Sequence, residues 1–194
     1  MPPVLTAKGL AKAYGPRVLL DDVDVAIEAR ERVGLVGANG AGKSTLARIL
    51  AGDLEADAGQ VVTPRDVRVG YLPQVPRMDD AATPRAIVRA ALGPWLEAKE
   101  AHDAASLAMG EPGADLDALL ETQADAAARI ERLGGWDRDH VVDATLTHVG
   151  VTDLERPVGT MSGGERRRVA LAKLLVEAPE LAIFDEPTNH LDVD

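Results

Sequence analysis

"RVGLVGANGAGKSTLARILAG" (residues 32–52) carries three signals in a row. "RVGLVG" is a continuous apolar run, the pattern of a buried central strand. "GANGAGKS", residues 37–44, matches G-x-x-x-x-G-K-[ST] in full. "STLARILAG" has helical spacing, with Leu46, Ile49 and Leu50 on one face and Gly52 placed to end the helix. Between strand and helix, Gly37, Gly40 and Gly42 let successive backbone N–H groups turn inward on phosphate oxygens. The helix beginning near Lys43 aims its positive dipole end at the same place. Lys43 would reach the outer phosphates, and the Ser44 hydroxyl would be a Mg²⁺ ligand. Asn39, Ala41 and Thr45 complete the cradle. A tight turn that merely contains a lysine is the structural alternative, and the flanking strand and helix signals weigh against it.

Two further stretches gain meaning from this loop. "LAIFDEPTNHLDVD" (residues 181–194) brings two adjacent carboxylates to the end of a short apolar run. Downstream of a phosphate loop, Asp185 is placed to hold Mg²⁺ and Glu186 to orient or deprotonate an attacking water. "MSGGERRRVALAKLL" (residues 161–175) opens with a capping box, Ser162 and Glu165, before an apolar-periodic run. Capping explains the serine but not Gly163 and Gly164, which cost helix stability and allow another chain or a phosphate close to the helix start.

Composition bounds the rest. At 194 residues, 46% of them hydrophobic, the chain can bury a real core, and with aromatics at 3% that core must be aliphatic. The lack of cysteine excludes disulfides and thiolate metal sites. No run approaches the roughly 20 apolar residues of a membrane span, and the first residues lack the apolar core of a secretory signal, so a cytoplasmic location is expected. A net charge of −11 argues mildly against direct binding to nucleic acid. Val23, Val25 and Ile27 alternate as on a half-buried strand, and residues 67–72 read as another. Thr83-Pro84 starts a helix; Gly93-Pro94 starts a second, running to about Met109. Leu116, Leu119, Leu120, Ala127, Ile130 and Leu133 keep helical spacing up to Gly134-Gly135, predicting a helical hairpin whose charged face is solvated over an alanine-rich seam. Residues 79–133 carry eleven acids against five bases, so the hairpin is acidic. Trp95 and Trp136 are expected to anchor it against the domain, and arginines 166–168 to form a solvated helix face.

The phosphate loop, "YLPQ" ending at Gln74, "MSGGE" and "LAIFDEP", in this order, resemble the nucleotide-binding domain of the ATP-binding cassette (ABC) superfamily. "EPTNHLD" and the long helical insertion after Gln74 are similar to the ABC-F subfamily, soluble tandem-cassette ATPases that act on ribosomes. The resemblance covers essentially the whole chain. It implies an α/β fold of the P-loop NTPase type, with a mixed sheet, an antiparallel β subdomain and an inserted helical subdomain. It divides the chain into an ATP-binding core (residues 1–78), a helical subdomain (79–150), and a signature helix and Walker B strand returning to the core (151–194). The implied cofactors are ATP and Mg²⁺. Tyr14 would stack on adenine, the alternative being a half-buried strand tyrosine. Gln74 would contact Mg²⁺ and the attacking water. Ser162, Gly163 and Gly164 would close over ATP held by a second cassette, either in tandem or in a head-to-tail homodimer, with Asp192 at that interface. Met161 replaces the usual leucine, a volume-conserving change. The family pattern continues beyond "HLD" to a switch histidine, which His190 is not. The chain is therefore expected to be part of a first cassette, inactive alone. Its partner would be the ribosome or, on the alternative reading, a membrane permease subunit.

Overall fold

The structure, a computed structural model, describes residues 3–186; Asp192 and His190 lie outside the described residues. The chain forms two compact units, one from the residues up to Pro76 together with those from Ala178 onward, the other Arg77–Glu177.

In the first unit, β1 (Pro3–Tyr14) and β2 (Arg17–Glu28) form an antiparallel hairpin closed at the Tyr14–Arg17 pair. β3 (Ala58–Val62) pairs antiparallel with the other edge of β1. Leu5, Ala7 and Leu10 of β1 all face the core, although strict alternation would send Leu10 outward. Register shifts after Ala7 and Lys8 restore the phase, as a β-bulge does. The bulge depends on glycine. Gly9 and Gly59 both have positive φ, and a Cβ on Gly59 would lie 2.4 Å from the Gly9 carbonyl oxygen. Leu20 and Ile27 of β2 complete this core with Leu46, Ile49 and Leu50 of α1 (Lys43–Leu50), the apolar face that the sequence shows at i, i+3, i+4.

β4 (Val69–Leu72) and β5 (Leu181–Phe184) form a separate two-stranded parallel sheet, in register from Val69–Leu181 to Leu72–Phe184. Arg68 and Glu180 clamp one end: the Arg68 amide donates to Glu180 Oε2 at 2.7 Å and its guanidinium spans both carboxylate oxygens. These bonds pull the Glu180 carboxyl down to about 2.

The apolar run at residues 32–37, expected as a buried central strand, has no regular secondary structure. Val33, Leu35 and Val36 are exposed, Val36 at 90%. A strand is held by its ladder, and no strand among the described residues pairs with this segment.

The second unit is helical: α2 (Pro84–Arg89), α3 (Gly93–Ala108), α4 (Leu116–Arg132), α5 (Asp139–His148) and α6 (Gly163–Glu177). Thr83 caps α2 by accepting from the Ala86 amide, with proline at the first helical position. α3 and α4 are antiparallel: Trp95 Nε1 donates to Gly135 O, Arg129 pairs with Glu97, and Gln123 bonds Ser106. Buried Ala98, Ala105 and Ala126 let the two helices approach closely. The seam is thus alanine-rich, as expected, and Leu116 and Leu120 are exposed at 54% and 52%. Trp95 anchors within this unit, in a core with Val88, Ile130, Val142, Leu146, Val158 and Val169. Trp136 is exposed and meets the His102 ring edge-on. The arginines are not a solvated face: Arg167 is buried and Arg166 pairs with Asp80 at 2.8 Å.

Ile130 is fully buried at the centre of this core. Ile130→Ala should lower stability by about 2–5 kcal/mol, measured by urea unfolding of the variant against the parent.

Candidate nucleotide site

Gly42 caps α1 with φ +94°, a left-handed conformation that suits glycine, and a Cβ there would lie 3.1 Å from the Leu19 carbonyl oxygen. The helix therefore starts abruptly, and its first hydrogen bond runs from the Leu46 amide to Gly42 O. The N–H groups of Lys43, Ser44 and Thr45 in that first turn have no acceptor within the helix and lie beside the loop. Lys43 Nζ donates to Gly37 O and Ala38 O, both at 2.9 Å, so the ammonium holds the loop curled around itself. Glycine freedom, a helix start and a lysine together make a concave, positive surface suited to phosphate.

A cleft of about 350 Å³ opens there. Tyr14, Asn39, Gly40, Gly42, Lys43, Ser44, Thr45 and Glu186 line it, together with Arg17 and Leu19. Gly37 and Ala41 belong to the loop but do not line the cleft; Gly37 contributes its carbonyl to Lys43. Tyr14 sits at the end of β1, about half exposed, with Lys12 Nζ 5.8 Å from its ring centroid.

The two carboxylates follow directly after β5. The Asp185 amide donates to Leu72 O at 2.9 Å, continuing the parallel ladder past the strand. Its carboxylate is buried, and Ser44 Oγ donates to Asp185 Oδ1 at 2.9 Å across 141 residues of chain. The Tyr71 hydroxyl donates to Asp185 Oδ2 at 3.2 Å. Burial first, then the Asp185 charge, push the Tyr71 hydroxyl up to about 12, so it stays a donor. Glu186 takes a positive φ of 49°, unusual for a residue with a side chain, and accepts from Gln74 Nε2 at 2.8 Å. A hydroxyl and a carboxylate oxygen side by side are hard oxygen donors that fit Mg²⁺. Among the described residues no cluster of three or more carboxylate or imidazole side chains could hold a metal. The donor set suits an ion shared with phosphate oxygens rather than caged by protein alone.

Ser162, Gly163 and Gly164 lie in the second unit. There Ser162 N–H and Oγ donate to Glu165 Oε2 at 2.8 and 2.9 Å, and the Glu165 amide donates back to Ser162 Oγ at 3.3 Å. This is the reciprocal capping box. Arg156 reaches the other Glu165 oxygen at 2.5 Å. Sequence reasoning did not single out Arg17 or Tyr71. Arg17 follows the hairpin turn three residues after Tyr14 and pairs with it across the turn, and Tyr71 stands in the "YLPQ" segment itself.

A model of the ABC transporter family matches residues 20–189. The chain belongs to this family of ATP-binding domains. Over 192 residues it is 41% identical to the tylosin resistance ATP-binding protein TlrC of Streptomyces fradiae, covering 97% of this chain and 35% of that protein. It is 35% identical over 192 residues to the energy-dependent translational throttle protein EttA of Haemophilus influenzae, covering 98% of this chain and 34% of EttA. The chain thus spans about a third of the length of these relatives. In fold it resembles an ATP-binding subunit of an ABC transporter, with a TM-score of 0.64 at 21% identity, covering 95% of this chain and 67% of that one. A metal-chelate type ABC transporter in an inward-facing conformation aligns with a TM-score of 0.60 at 21% identity, covering 98% of this chain and 63% of that one. Among the described residues no helix is long and apolar enough to cross a membrane.

The Ser162 amide, then the Ser162 hydroxyl and Arg156, hold the Glu165 carboxyl at about 2, below its ordinary 4.5. The unfolded chain therefore binds the extra proton in that window, and the carboxylate's stabilisation, complete above about pH 4.5, is lost as pH falls toward 2. In denaturant unfolding across this range, Glu165→Gln should lose less stability on acidification than the parent.

Proposed function

We propose that this chain is an ATP-binding cassette segment of an ABC-F type ATPase that works in translation. One observation carries the ATPase reading. The phosphate loop's Ser44 meets Asp185 at 2.9 Å, and Glu186, next along, meets Gln74 at 2.8 Å. The loop residues, Ser44 and Glu186 therefore line one cleft, and buried Asp185 meets it through Ser44.

The roles follow from that geometry. Lys43 and the first-turn amides of α1 bind the outer phosphates. Ser44 and Asp185 hold Mg²⁺, which neutralises charge on the phosphates when bound. Tyr71 fixes the Asp185 carboxylate. Glu186 orients the attacking water, and Gln74 fixes the Glu186 side chain. Tyr14 offers a ring face to the base. Ser162, Gly163, Gly164 and Asp192 act in trans, on ATP held by a second cassette.

The translational role is supported by the likeness to EttA, whose name assigns it to translation. Since this chain spans about a third of either relative, the second cassette and a cytoplasmic, ribosome-bound whole protein are part of the proposal. A competing assignment, the ATP-binding subunit of a membrane transporter, predicts recovery with membranes rather than with ribosomes in ATP-dependent fractionation.

Isothermal titration with MgATP should show binding to this chain that Lys43→Ala weakens by at least about tenfold. In the full-length protein, Glu186→Gln should retain ATP while hydrolysis falls by about 100-fold or more. The 194-residue chain alone should turn over negligibly. A turnover by the chain alone that Glu186→Gln abolishes would show that no second cassette is needed.

A further inference from the structure

We infer that Arg17 is a second cation for the nucleotide's polyphosphate, supplied by the β hairpin and not by the phosphate loop. The inference rests on the nucleotide reading above. Arg17 opens β2, in register with Tyr14 across the hairpin turn. Its Nη2 donates to Gly40 O at 2.7 Å, and its side chain lines the same cleft as Lys43 and Ser44. Gly40 makes this approach possible: its φ is +76°, and a Cβ there would lie 3.1 Å from Arg17 Nη2.

A guanidinium presents five N–H donors in one plane, and a single bond to Gly40 O leaves most of them for another acceptor. Among the described residues Arg17 forms no ion pair, unlike Arg48, Arg68, Arg85 and Arg89, each of which has a carboxylate. Lys43 shows the same arrangement, a cation resting on loop carbonyls at 2.9 Å with its charge facing the cleft. Two such cations lining one cleft fit a ligand carrying several negative charges. The fork geometry of the guanidinium suits phosphate oxygens in pairs. Holding the loop in place through Gly40 would need only a donor; a charge is needed only if an anion comes.

The test compares the parent with Arg17→Ala, Arg17→Gln and Arg17→Lys, titrated with MgATP and with inorganic tripolyphosphate in the presence of Mg²⁺. Ala and Gln should weaken both ligands by about tenfold, and Lys by about threefold or less. If Arg17→Gln keeps parental affinity, the bond to Gly40 is all that Arg17 provides and the inference fails. If ATP weakens while tripolyphosphate does not, Arg17 serves the base or sugar and the inference fails as well. Should Arg17→Ala not fold, the contrast between Gln and Lys decides alone. A parent that binds neither ligand overturns the nucleotide reading itself, whereas a parent that binds both with all variants unchanged overturns only the role of Arg17.

Discussion

The hydrogen bond from Ser44 Oγ to Asp185 Oδ1 joins the first turn of α1 to the end of β5, two points 141 residues apart. Everything chemical in the first unit is arranged about that contact. Asp185 is buried, so its carboxylate must be satisfied by fixed donors, and Ser44 and Tyr71 supply them on its two oxygens. Ser44 Oγ and Asp185 Oδ1 are the oxygens that the proposed function gives to Mg²⁺, a hard cation that prefers oxygen ligands. A polar contact that stabilises the fold is also the contact that a metal and its nucleotide would exchange for their own.

Around it, the positive elements are mostly backbone. Gly42 starts α1 without a side-chain cap, leaving the first-turn N–H groups for a ligand, and Lys43 is held by two loop carbonyls. The two carbonyls fix the Lys43 ammonium at the cleft, so a donor placed there reorganises little on binding. Opposite stands Glu186, whose positive φ is tolerated because the ladder fixes Asp185 before it and Gln74 holds its carboxylate. The second unit uses side chains instead. Ser162 and Glu165 satisfy one another at the start of α6, so the two glycines after the cap are free of any capping duty.

Much of this could be read from local pattern. The α1 face at Leu46, Ile49 and Leu50, the Thr83-Pro84 helix start and the Ser162–Glu165 box all depend on residues within a turn of one another. What local pattern missed depends on distant partners. The apolar run at 32–37 has the composition of a buried strand, yet no ladder among the described residues receives it. The bulge at Gly9 and Gly59 and the reach of Arg17 to Gly40 likewise need the register of β1 with its neighbours.

The sequence by itself determined the phosphate loop, the carboxylate pair, the capped signature helix and thereby the family. Those motifs are made of backbone conformation and residue type over a few positions, which neighbours in the chain dictate. Only the tertiary structure decided which atoms meet: Ser44 with Asp185, Gln74 with Glu186, Tyr71 with Asp185, and Arg17 with the loop. Hydrogen bonds act over about 3 Å, and no pattern along the chain specifies a distance between residues 23 to 141 positions apart.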